Sequence, residues 1–150
     1  MITVDEFVAR LCKLGVDGAR PFPRARGDRE ILIESILMSF DSAATYRENE
    51  VNESLKRWIR EVAPAIETDH VTLRRTLVDY GRLERTEDGR FYRVAFPQRM
   101  TAFELGVYDL DLRAVIADYR KAAEERREKK RAAAAATKSE SKPNQRRGRR

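Results

Sequence analysis

The chain contains one cysteine, Cys12, and one histidine, His70. A zinc site needs about four Cys, His or acidic ligands at defined spacings, and no such cluster occurs. A disulfide within the chain is impossible with a single cysteine, which suits a reducing cytoplasm. Cys12 reads as a small semi-buried residue of a helix face, and His70 as a partly buried, satisfied histidine. Also lacking is any apolar run of roughly 18 residues, so no membrane span is expected. Asp5 and Glu6 stand where a secretory signal would carry basic residues, so no leader is expected either. No nucleophile–base pair and no glycine-rich phosphate loop is recognisable. The expectation is a protein that is not an enzyme and holds no cofactor.

Charge is abundant and unevenly placed. Charged residues make up 37% of the 150, and the formal net charge is +6. Residues 111–150 hold 14 Lys/Arg against 6 Asp/Glu, leaving 17 against 19 for residues 1–110. The basic character therefore belongs to the C-terminal end, and any polyanion binding by the preceding region must come from local patches.

Helical spacing opens the chain. Thr3 with Glu6 forms a capping-box pattern, and Val4, Phe7, Val8, Leu11 and Leu14 share one face, predicting a helix over 4–14 that Gly15 stops. Residues 15–28 read as a loop carrying Arg20, Arg24 and Arg26. Asp28 is the expected N-cap of a buried helix over about 29–39, built on Ile31, Leu32, Ile33, Ile36, Leu37 and Phe40. A very short strand fits at Tyr46. A helix through Val51, Leu55, Trp58, Ile59 and Val62 follows and ends by Pro64; the Trp58 indole N–H requires a partner. Its start is open between a Thr45/Glu48 capping pair and the poor cap Arg47.

The stretch DHVTLRRTLVDYGRLERTEDGRFYRV, residues 69–94, then gives a helix capped by Asp69 and closed by Gly81. Strands at Leu83–Arg85 and Phe91–Val94 flank the turn signal Glu87-Asp88-Gly89. On a helical wheel His70, Leu73, Leu77 and Tyr80 share one face. Arg75 lies nearly opposite, and Arg74 sits at the side. This order of three helices, a small strand and a hairpin predicts a mainly α, winged helix-turn-helix fold with an extra N-terminal helix and a long C-terminal one. The predicted divisions are 1–27 (helix and Pro/Arg loop), 28–94 (winged helix), 95–136 (packing segment and terminal helix, capped by Asp111) and 137–150 (disordered basic tail).

Residues 46–94 resemble the bacterial family called domain of unknown function 2087. The residues that carry the resemblance are Tyr46, Glu50-Val51-Asn52, Asp69 to Arg75, Leu77 to Gly81, Leu83, Arg85, Asp88-Gly89, Tyr92 and Arg93. The family's members stand alone or are fused behind regulators of the ArsR type. The resemblance implies a winged-helix fold and a transcriptional role. The chain departs from the family at Arg47, where Ser or Thr is usual, and at Arg82, where an apolar residue is usual. The connector 60–68 is also longer than the three or four residues typical of a DNA-binding helix-turn-helix.

These readings make Arg75, Thr72, Arg74, Arg82, Arg85, Arg90 and Arg93, with Arg24 and Arg26 of the loop, the candidate nucleic-acid contacts. A winged helix places its third helix in the major groove and its wing on the backbone or minor groove. Arg75 is the candidate for a bidentate contact to guanine. Arg74 has a competing structural reading, as partner of a carboxylate such as Glu48 or Glu50. A further reservation concerns Val71 and Val78, which flank Arg75 and could be covered by the segment after Val94 or by the last helix. The expected function is a DNA-binding regulator. One alternative is a protein-interaction module, with dimerisation through the C-terminal helix. The other is an RNA- or ribosome-associated factor working through Arg146, Arg147, Arg149 and Arg150.

Overall fold

The computed structural model describes residues 1–95 and 101–140. The order is α1 (Val4–Val16), α2 (Arg26–Leu37), β1 (Tyr46–Arg47), α3 (Glu48–Glu61), α4 (His70–Asp79), β2 (Leu83–Arg85), β3 (Phe91–Val94), a 3-10 turn (Leu105–Asp109) and α5 (Leu112–Glu140). The three strands form one antiparallel sheet in the order β1-β3-β2. Tyr46 pairs with Tyr92, and Arg85 faces Tyr92 from the other side. The fold is mainly α with a small sheet, winged-helix-like, as the element order predicts.

Helix α2 is the centre of this arrangement. Every residue from Ile31 to Leu37 is buried, because the helix is covered on all sides. Around it lie Phe7 and Leu11 of α1, Val51 and Leu55 of α3, Leu73 and Leu77 of α4, Leu83 of β2 and Ile116, each fully buried or nearly so. Two polar residues enter this core as a pair: the Trp58 indole N–H donates to Ser35 Oγ at 2.9 Å. Helix α3 begins at Glu48 with Arg47 in the cap position and no side-chain cap, so the Thr45/Glu48 alternative is not realised.

Two boundaries differ from the sequence reading. Asp28 is not a cap: α2 starts at Arg26 behind Ala25, and Asp28 lies in its first turn, where it accepts from Arg10 Nη2 at 2.9 Å. A carboxylate is favourable there through the helix dipole, so the residue type is suitable while the position is shifted. Gly15 does not stop α1, which continues to Val16. The glycine serves contact instead: a Cβ at this position would lie 2.6 Å from the Val62 carbonyl oxygen.

The same closeness explains the long connector between α3 and α4. Ala65 donates its N–H to Gly15 O at 2.8 Å, Arg20 donates to Ala65 O at 3.0 Å, and Glu67 donates to Arg20 O at 2.7 Å. The connector backbone is thus satisfied by the loop after α1, as buried backbone requires.

After the wing, Phe103 bridges to Ile2 and packs edge-on against Phe7 with ring centroids 5.8 Å apart. Asp111 caps α5, accepting from Ala114 N–H at 3.1 Å. The chain divides into two compact units, Met1–Ile116 and the remainder from Ala117. In the second unit α5 runs on as a helix rich in Ala, Glu, Lys and Arg, with Glu124 within 4.0 Å of Arg127 and 3.9 Å of Arg131. Strong helix formers account for a helix that reaches Glu140, so residues 137–140 are helical and not part of a disordered tail as expected; the remainder of that expected tail, 141–150, lies outside the described residues. The basic run Arg146–Arg150 lies outside the described residues.

Candidate nucleic-acid interface

Helix α4 is fixed at both ends. The Asp69 side chain accepts from Thr72 N–H at 2.7 Å and from the Thr72 hydroxyl at 3.2 Å. These bonds to Thr72 hold the Asp69 carboxyl below its ordinary value. Thr72, a candidate nucleic-acid contact from the sequence, therefore has its hydroxyl engaged in the cap. At the other end Gly81 takes the left-handed conformation, φ +67°, and Arg82 N–H closes on Leu77 O at 2.8 Å.

The two central arginines part company. Arg74 is nearly buried: Nη2 lies 3.1 Å from Glu48 Oε1, Nη1 donates to Asn52 Oδ1, and the guanidinium sits 5.9 Å from the centre of the Tyr92 ring. It ties α4 to the start of α3. Arg75 is exposed, with no ion pair or hydrogen bond to its side chain among the described residues. Val78, one turn on, is 37% exposed. The described part of the segment after the wing packs on Ile2 and Phe7 of the N-terminal region, so it does not cover this face.

The wing is an ordered hairpin. Gly89 adopts φ +71°, Thr86 N–H bonds Phe91 O at 2.8 Å, and the Asp88 carboxylate accepts from the Thr86 hydroxyl at 2.7 Å and from Arg90 N–H at 3.1 Å. Those bonds lower the Asp88 pKa. Strand alternation sorts the wing arginines. Arg85 shares the face of buried Tyr92, and its Nε donates to Gly89 O at 3.3 Å across the turn. Arg93 faces away with Glu84, at 3.0 Å, and Arg47 lies on that same outer face through its pairing with Phe91. The Arg93–Glu84 hydrogen bond and charges lower the Glu84 pKa and raise that of Arg93, yet both side chains are more than half exposed, so the pair is weak. Arg90, beside the turn, is exposed.

Between α4 and the wing runs a groove of about 260 Å³ lined by Glu48, Arg74, Arg75, Val78, Asp79, Arg85 and Tyr92. It brings Arg74, Arg75 and Arg85 together, with Glu48 and Asp79 as opposing charges. Arg82 does not join it. That residue, expected beside the wing as an added surface charge, is 3% exposed, with Nη1 2.7 Å from Glu30 Oε2 and Nη2 3.0 Å from Glu34 Oε2. A buried guanidinium is tolerated only where carboxylates meet it, and α2 supplies two.

Arg24 and Arg26 are exposed at the start of α2. Sequence reasoning missed Arg29, which connects this loop to α4. Its guanidinium stacks 4.2 Å over the Tyr80 ring, and Nη1 donates to Arg24 O at 3.3 Å. The only signal was an arginine in the first turn of one helix and a tyrosine at the C-cap of another, far apart in sequence. Cys12 is buried, and burial together with Asp17 raises its pKa, the opposite of an activated thiol. Among the described residues no group of three His, Cys, Asp or Glu is placed to hold a metal, and no helix is long and apolar enough to cross a membrane.

Three helices, a hairpin laid beside the last of them and an arginine-bearing groove between the two define a winged-helix-like protein. The chain belongs to the family of uncharacterized proteins conserved in bacteria, DUF2087, whose model matches residues 20–94. No curated protein and no solved structure gives a significant match.

Proposed function

We propose that the protein binds double-stranded DNA through α4 and the wing, in a regulatory rather than a catalytic role. The observation that carries this reading is Arg75. It is an exposed, unpaired guanidinium on α4, held by a capped helix whose buried face is fixed by Leu73, Leu77 and the Arg74–Glu48 bridge. A planar donor fork on a rigid helix is the group suited to guanine O6 and N7. Arg85 across the groove and Arg90 at the turn supply phosphate contacts, and Arg24 and Arg26 form a second basic arm. Arg82 is withdrawn from the contact set, and Arg74 positions α4 rather than touching DNA.

Selection from a pool of randomised duplexes, followed by fluorescence anisotropy at two salt concentrations, tests this. Arg75→Ala is expected to weaken the selected duplex by about 1–3 kcal/mol and leave melting unchanged, whereas Arg90→Ala weakens all duplexes alike. A selection that returns no preferred sequence, or an Arg75→Ala protein that melts lower and binds as before, refutes the reading and leaves a protein-interaction module in its place.

A further inference from the structure

We propose that one face of α5 docks along the phosphodiester backbone of a nucleic acid, a contact separate from the α4 groove and from the last ten residues. From Arg120 to Ser139 every residue is exposed, apart from the partly exposed Ala123. At 3.6 residues per turn, Lys130, Arg127, Arg120 and Arg131 fall within an arc of about 100°, with Ala123 and Ala134 between them. Arg127, Lys130, Arg131 and Ala134 line one open recess of about 310 Å³, which places them together on the helix surface. Asp118, Glu125 and Glu128 lie in the opposite half, and Glu124 stands at the edge of the basic arc. The charge of this helix is thus sorted by face.

The chemistry of the face selects its occupant. Alanine is the only apolar residue in 120–140, so the helix offers no Trp, Phe or Leu to sink into a lipid surface. It also lacks the aromatic anchor that centres a protein interface. What remains is a row of long cationic side chains around a strip of alanine, which lets the helix backbone approach a row of anions closely. Arg120 to Arg131 spans about 16 Å of axis, the length over which one strand of B-DNA presents roughly five phosphates. Glu124 lies 4.0 Å from Arg127 and 3.9 Å from Arg131, but all three side chains are more than half exposed, so these pairs are weak and open readily to a phosphate. The acidic half fixes the mode of binding. A major groove about 12 Å wide just admits a helix, with phosphates on both sides, and Glu125 and Glu128 would face the second strand. The helix therefore follows one backbone from outside the groove, and the contact carries no sequence preference.

Salt titrations of the full chain test this by fluorescence anisotropy. The probes are a duplex DNA of random sequence, a duplex RNA of the same sequence, and vesicles of phosphatidylserine and phosphatidylcholine. Two double variants lose the same charge from different faces: Arg127→Gln with Lys130→Gln from the basic arc, and Lys121→Gln with Lys129→Gln from the opposite half. Glutamine has nearly the helix propensity of arginine and lysine, so both should match the parent in far-UV circular dichroism. The first pair should flatten the slope of log affinity against log salt by about 1.8 units, two phosphates at about 0.9 each, and the second should leave it unchanged. That difference on DNA, on RNA or on both supports the proposal and identifies the backbone bound. Equal losses from the two faces show that charge alone matters and overturn it. So do no loss from either, a larger loss from the second, or a difference seen only on vesicles. Because the duplexes have random sequence, the outcome is independent of any base preference of α4.

Discussion

Arg74, Arg75 and Arg82 lie within nine residues of one another and have three different fates. Arg74 bridges two helices, Arg75 meets solvent, and Arg82 is buried between Glu30 and Glu34. Burial decides what a substitution does. Arg82→Leu strands Glu34, which is 6% exposed, and should cost about 3–5 kcal/mol in urea unfolding, the scale of breaking a buried pair from one side. Adding Glu34→Leu removes the more deeply buried of the two stranded charges and should restore part of that loss, while Glu30 stays without its partner. If the double variant is no more stable than the single one, the stranded Glu34 charge is not the source of the destabilisation. Arg75→Ala, by contrast, removes no hydrogen bond or ion pair among the described residues and should leave unfolding within about 0.5 kcal/mol of the parent.

At the scale of elements, the readable features were those with local causes. The Asp69 cap, the Gly81 stop and the Asp88-Gly89 turn each depend on residues within five positions, and each is found where the sequence places it. The suggestion that Arg74 pairs with Glu48 also holds, because a guanidinium at the edge of a buried face has few ways to be satisfied. What escaped the sequence depends on distant partners. The carboxylates that bury Arg82 lie 48 and 52 positions upstream, and no local pattern announces them. Gly15 was misread for the same reason: it resembles a helix stop, but it is required by Val62, far along the chain. Gly15→Ala sets two effects in opposition. Helix propensity favours alanine by about 1 kcal/mol. A Cβ 2.6 Å from a backbone carbonyl cannot be relieved by a rotamer change, and overpacking of this kind costs about 1–3 kcal/mol. Net destabilisation is expected in thermal melts; a gain in stability would show that α1 can move away from Val62. Asp69 gives the pH dependence of α4. Its folded pKa lies below the ordinary 3.8, so its contribution to stability is present above that value and is lost as the pH falls through the lower, folded one. Asp69→Asn keeps a capping oxygen, so it should melt close to the parent at neutral pH and show a shallower decline in acid. The decline does not vanish, because Glu84 and Asp88 are lowered in the same direction.

For the molecule as a whole, the charge and the candidate interface are in different places. The net charge of +6 arises beyond residue 110, while residues 1–110, which include the α4 groove, carry 17 basic against 19 acidic side chains. Sequence preference and overall affinity for DNA should therefore separate. The last ten residues contain Lys142, Arg146, Arg147, Arg149 and Arg150, attractive to any polyanion. Each phosphate they neutralise contributes about 0.9 to the slope of log affinity against log salt. A chain ending at Glu140 should bind the selected duplex more weakly at low salt, with a slope shallower by up to about 4.5 units, and keep the same ratio of affinity between selected and scrambled duplexes. That ratio is the quantity that matters, because base contacts set it and backbone attraction cancels from it. If the shortened chain loses the preference along with the affinity, α4 is not the reader. The preference then depends on the C-terminal ten residues, and charge alone, which cannot distinguish one duplex from another, does not account for it.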